Sequence, residues 1–238
     1  PMATNPTDSV VAKVDMHVNA PTAVLQQISR IRDLKSKSSE KEKNAIFADS
    51  LASLYQKAGK FDSAAWFSEE ASSFFNTTNS WLQTADHYYE AFTFAVDQAK
   101  QTQLAGKAQE FYNKVLDKEP NNLNAKTNLA MTYVSSSSPM QGIMLLREVL
   151  QQNPKHEPAL FNMGMLSVQS GQNDKAVERL EELVAINPNH TQGQLLLGIA
   201  WMNLGKTAKA KAQFEKVKQL DADPAVQAVV DSYLKDLK

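Results

Sequence analysis

The amino-acid sequence predicts an all-α fold, an α–α superhelical solenoid of about five helix hairpins with a capping helix at each end. Three observations carry that prediction. One pattern runs three times without a gap over 123–222, aligning Ala130 with Gly164 and Gly198, Gly142 with Ala176 and Ala210, and Leu146 with Leu180 and Phe214. Pro120, Pro154 and Pro188 mark the ends of successive units at the same spacing. Between these marks, apolar residues recur at three- and four-residue steps, which is the spacing of one helix face. A repeat of this length cannot bury its apolar face alone, so copies stack and share a core. The small-residue columns follow, because paired helices approach closely only where side chains are small.

Taken in order, residues 1–19 read as a flexible or loosely docked arm. Their short apolar alternation (Val10, Val11, Val14, Met16, Val18) also suits a strand-like segment that docks on a partner. The opening Pro1-Met2 reads as the scar of a cleaved tag, so that an upstream signal or anchor could have been removed. Residues 20–44 hold a capping helix, with Pro21 suited to its first turn and Val24, Leu25, Ile28, Ile31 and Leu34 on one face. The first hairpin spans 45–77. Ile46, Phe47, Leu51, Leu54 and Tyr55 lead to Ala58-Gly59, and Asp62 caps a second helix carrying Ala64, Ala65, Phe67 and Ala71.

The second hairpin, 78–122, is enlarged. The interval from Ala45 to Leu123 exceeds two full periods of the pattern by ten positions. Its first helix opens with Trp81, Ala85, Tyr88 and Tyr89 and continues through Phe92, Phe94, Ala95 and Val96. Gly106 falls in the turn or at the head of the next helix. A helix longer by ten residues would extend by roughly 15 Å. Three regular hairpins follow over 123–156, 157–190 and 191–222, with turns at Ser135–Pro139, Gln169–Asp174 and Asn203–Lys206. Asp223 and Pro224 then start a final amphipathic helix over 223–238, a cap of the kind a solenoid needs at its open end.

The pattern resembles the tetratricopeptide repeat, whose clearest copy here is Trp201 with Leu197-Gly198, Ala210 and Phe214. The resemblance is strong over 123–222, fair over 45–77 and weaker over 78–122. It implies a helix–turn–helix solenoid and a protein-binding scaffold of bacterial style, and leaves the partner open.

Composition narrows the function classes. At 238 residues, 42% hydrophobic and 21% charged, the chain has an ordinary globular composition. A formal charge of −1 offers no footprint for nucleic acid, which asks for a clustered basic surface. The lack of cysteine excludes thiol catalysis and cysteine zinc sites. No apolar run reaches the length of a membrane span. His17, His87, His156 and His190 each stand alone in their segments, without the spacing of a metal or general-base pair. Ala105-Gly106-Lys107 lacks the flanking glycine of a phosphate loop, and Glu69-Glu70 and Glu181-Glu182 read as solvated helix faces. The sequence therefore points away from an enzyme and calls for no cofactor or metal. It suits a cytoplasmic protein or the periplasmic domain of a truncated membrane-anchored one equally well.

What remains is the groove lined by the first helix of each repeat. Its expected residues are Asn128 and Met131, then Phe161, Asn162 and Met165, then Leu195, Leu196, Ile199 and Met202. Asn128 and Asn162 share a column, one period of the pattern apart. In the family, asparagine in that column hydrogen-bonds the main chain of an extended peptide, and the resemblance implies the same role here. An amide both donates and accepts, so it reads main chain without regard to sequence. The methionines make the surface adaptable to apolar side chains. These positions hold no lysine or arginine, a departure from members that clamp an acidic C-terminal tail. The expected partner is a protein or peptide segment. The alternative is a self-assembly module whose groove is filled by another copy, as a homo-oligomer, or by its own arm.

Overall fold

The computed structural model describes residues 20–237, and the expected arm at 1–19 lies outside them. The described residues form twelve α-helices and no strand. In chain order these are α1 Thr22–Lys37, α2 Lys41–Lys57, α3 Phe61–Phe75, α4 Thr78–Phe94, α5 Gln98–Lys118 and α6 Leu123–Val134. There follow α7 Pro139–Gln152, α8 Glu157–Gln169, α9 Asn173–Ile186, α10 Thr191–Asn203, α11 Thr207–Leu220 and α12 Pro224–Asp236. The chain divides into two compact units, 20–142 and 143–237 among the described residues, with the division inside α7.

Local chemistry sets most of the boundaries. Asn122, His156 and His190 recur once per period, each as the N-cap of a first helix. Their side chains accept from the backbone N–H of Ala125 (3.1 Å), Ala159 (3.3 Å) and Gly193 (3.0 Å), each three residues on. Every helix leaves its first N–H groups without partners inside the helix, and a side-chain acceptor at this position satisfies one of them. At the other end, Gly59 turns the chain out of α2 with φ of +67°, a conformation that costs glycine little. Asn76 does the same after α3 at φ of +49°, and Thr77 then opens α4 with a reciprocal cap through Ser80. Asp62 stands one residue inside α3 rather than at its cap, and pairs with Lys100 of α5.

The unit at 20–142 packs its helices in sequence, α1 on α2, α2 on α3, and so on to α6. Ile28 of α1 enters a cluster with Leu51, Tyr55 and Ala64, so α1 covers the apolar face of the first hairpin. The enlarged hairpin divides its extra length between both members, α4 having 17 residues and α5 21, against 13 and 14 for α8 and α9. The sequence places its turn too late. The helix stops at Phe94, and Asp97 caps α5 by accepting from Lys100 N–H, so Val96 is exposed in the turn. Gly106 lies well inside α5, exposed, where an added Cβ would meet nothing within 4 Å. An acidic side chain that accepts backbone N–H groups outcompetes the weak breaker signal of a lone glycine.

The two acidic residues read as a solvated face on α3 are interhelical partners. Glu69 accepts from Lys107 (2.6 Å) and from Tyr88, joining α3 to α4 and α5, and Glu70 pairs with Lys35 of α1 at 2.6 Å. Lysine stems lie along neighbouring helices and deliver their ammonium groups to positions the sequence presents as open.

The unit at 143–237 has its core in Leu160, Leu180, Leu183, Leu197, Phe214 and Val217, all nearly or fully buried. An added Cβ at Gly198 would lie 2.6 Å from Phe214 Cε1, so the small-residue column is where α10 and α11 meet most closely. Val230 of α12 is fully buried, and the Tyr233 ring stacks on Phe214 at 5.1 Å, closing that end. The indole of Trp201 is half-buried, with Lys209 Nζ 3.8 Å from its ring centroid.

Candidate binding faces on the first helices

In the unit at 143–237 the first helices α8 and α10 touch each other directly. Phe161 and Asn162 sit one turn into α8 and Met165 one turn further, and all three are half-buried. Leu195, Leu196 and Met202 of α10 are half-buried too, packed on the core with part of their surface open. The Phe161 ring stacks on the capping imidazole of His190 at 5.1 Å. Ile199 departs from expectation. It is 3% exposed and belongs to the core cluster, because that turn of α10 faces inward and not toward the open side.

The two asparagines of the shared column differ in what holds them. Asn128 Nδ2 donates to Tyr112 Oη at 3.1 Å and to Asp86 Oδ1 at 3.4 Å. Asn162 is half-buried and makes no side-chain hydrogen bond among the described residues. Met131 is half-buried one turn beyond Asn128. Asn128 is thus occupied within its own unit, whereas the Asn162 amide is available.

The anchor of Asn128 belongs to a polar cluster that the sequence reading missed. Tyr112 Oη donates to Asp86 Oδ1 at 2.6 Å, and burial pushes the Tyr112 phenol far above its ordinary range. Desolvation also raises the Asp86 carboxyl above its ordinary value, although Tyr112 and Asn128 both donate to it. Tyr89, beside it, is pushed up to about 12, chiefly by burial. Asp86 lines a surface pocket of about 320 Å³. Ser53 and Gln56 of α2 form one wall, and Asn79, Leu82, Gln83, Asp86 and His87 of α4 the other. His87 is 5% exposed, its Nδ1 has no hydrogen-bond partner, and burial lowers its pKa against the pull of Asp86 and Asp49. One signal was available in the sequence. Asn79, Gln83, Asp86 and Glu90 recur at four- and three-residue steps, a polar stripe along a helix whose aromatic residues are more conspicuous.

Among the described residues no group of three acidic or histidine side chains could hold a metal ion, and no helix is long and apolar enough to cross a membrane.

Helix hairpins in series, with a capping residue recurring at a constant period and first helices in contact within each unit, define a helical-repeat protein. The tetratricopeptide repeat family profile matches residues 141–197 and, overlapping, 167–232. Residues 141–232 thus match the tetratricopeptide repeat, in line with the resemblance carried by the pattern over 123–222. Solved structures share the fold at low identity. A thermophilic tetratricopeptide-repeat protein from Thermus thermophilus, TTC0263, has a TM-score of 0.60 at 18% identity, over 81% of this chain and 98% of its own. MamA matches at 0.55 and 18%, over 76% and 93%. YrrB, described as having an unusual peptide-binding site, matches at 0.51 and 15%, over 86% and 97%. Comparison with curated proteins finds no match.

Proposed function

We propose that the chain is a non-enzymatic protein-interaction scaffold that holds an extended polypeptide segment on the first-helix face of its 143–237 unit. The observation that carries this is the Asn162 amide, half-buried and free of partners among the described residues, on a first helix that also carries Phe161 and Met165 and touches the first helix of Leu195, Leu196 and Met202. An amide flanked by half-open apolar side chains supplies one main-chain contact and adaptable pockets beside it. The peptide-binding site described for YrrB is consistent with this use of the fold. Asn128 is given a different role. Its hydrogen bonds to Tyr112 and Asp86 make it a structural member of its own unit.

The two asparagines therefore separate in one experiment. A peptide selected from a displayed random library against the purified chain should lose about 1–3 kcal/mol of binding in Asn162→Ala, with thermal stability unchanged. Asn128→Ala should lower stability and leave that peptide's affinity within twofold, on the order of measurement error. Loss of stability in Asn162→Ala without loss of affinity would remove the proposal. A mass that rises with concentration and blocks peptide binding would instead assign the face to a second copy.

A further inference from the structure

A second, chemically different pocket lies within the unit at 20–142. Its lining from α2 and α4 includes no lysine or arginine, and α4 carries neither residue anywhere along its length. The Asp86 carboxylate stands on its wall. Asp49 is close enough to act electrostatically on His87, and Glu90 lies one turn beyond Asp86, where it accepts from Gln56 Nε2 at 2.8 Å. Gln56, Asn79 and Gln83 add amide oxygens to the same walls. On the same wall His87 is only 5% exposed, with Nδ1 buried and unpaired. A buried ring nitrogen without a partner is costly unless something brings it one.

Every feature favours the same ligand chemistry. An anion would meet the Asp86 carboxylate on the wall, with Asp49 and Glu90 adding negative charge just outside the lining. An apolar group would leave the amides and the imidazole unpaired. A guanidinium is planar, permanently charged and carries five N–H donors and no acceptor, so it can pair with a carboxylate, amide oxygens and an imidazole nitrogen together. A pocket of about 320 Å³ suits one such side chain and its adjoining main chain.

We propose that the pocket between α2 and α4 binds an arginine side chain of a polypeptide, with Asp86 as its counter-charge and His87 and the pocket amides as hydrogen-bond acceptors. The proposal rests on the scaffold reading only in taking the arginine to be part of a polypeptide. The probe that tests it has no apolar side chain, so failure here leaves the Asn162 face untouched.

The test is a titration with acetyl-Gly-Arg-Gly-amide, followed through the His87 ring and backbone amide resonances of labelled full-length protein. The glutamine tripeptide serves as the neutral control and the lysine tripeptide as the point-charge control. The arginine peptide should give saturating shifts at His87, Ser53 and Gln83 in the millimolar range or below, weakened by salt. The glutamine peptide should give none, and the lysine peptide should bind more weakly because it lacks the planar fork. Asp86→Asn, which retains an oxygen acceptor for Tyr112, should reduce the affinity by about tenfold or more. Since Asp86 also holds Tyr112 and Asn128, Asp49→Asn provides a second variant outside that network and should weaken binding severalfold. Equal response to arginine and glutamine peptides, shifts confined to other residues, no saturating shift, or undiminished binding in both variants would overturn the proposal.

Discussion

The capping column at Asn122, His156 and His190 shows how one position keeps its task while changing its chemistry. Each side chain accepts one backbone N–H, but only asparagine does so at every pH. His156 Nδ1 can accept only while unprotonated, and burial lowers its pKa from the usual 6.5. The folded state therefore resists the proton that the unfolded state takes up. The contribution of His156 is complete above the unfolded value and is lost as pH falls through the lower folded value. A cation at a helix N-terminus is also opposed by the helix dipole. His156→Asn, copying the residue one period earlier, should match wild type in urea stability at pH 7.5 and exceed it at pH 5, by about 1 kcal/mol, the usual worth of a cap. His87 shares the direction of shift, so part of the acid sensitivity should remain. Side-chain fates of this kind were hidden in the sequence. His156 and His190 read there as ordinary turn residues, and Asn128 looked equivalent to Asn162 until Asp86 and Tyr112 came within reach of it.

Helices were more legible than the turns between them. The repeat columns place α6 to α11 because Gly198 against Phe214, and Gly164 against Leu180, are contacts that any copy of the hairpin must reproduce. The enlarged hairpin has no second copy to calibrate it. Its turn rests on Asp97, whose capping bond to Lys100 N–H is a local signal of no greater strength in the sequence than Gly106. The structure leaves Gly106 in a helix interior with open space around its α-carbon, so its flexibility has no packing role. Gly106→Ala should stabilise the chain by about 0.5–1 kcal/mol, because alanine loses less backbone entropy in a helix. The measurement is the denaturant midpoint at constant slope. A destabilised variant would mean that α5 is broken near this residue.

At the scale of the molecule, the chain forms two compact units, one with α1 and the other with α12 packed on its core. In the unit at 143–237 the cover is α12, which buries Val230 and stacks Tyr233 on Phe214. A chain ending at residue 222 should expose that surface. It should unfold in this unit several degrees earlier, on the order of the 2–4 °C per kcal/mol expected for a chain of this size, multiplied by the loss of one fully buried valine and one aromatic stack. The sequence made the cap readable through its amphipathic spacing. The pocket between α2 and α4 was not readable in the same way, since it needs Ser53 and Asp86 brought together across two intervening turns.

The placement of the tryptophans gives the two units separate optical signatures. Trp66 and Trp81 belong to the unit at 20–142, and Trp201, beneath the Lys209 ammonium, is the single tryptophan of the unit at 143–237. A chain carrying Trp66→Phe and Trp81→Phe would emit from one unit alone, and its complement, Trp201→Phe, from the other. Melting curves and ligand titrations could then be assigned to a unit by colour and intensity, with no dye attached. An arginine peptide and a groove peptide would each light a different half of the same protein.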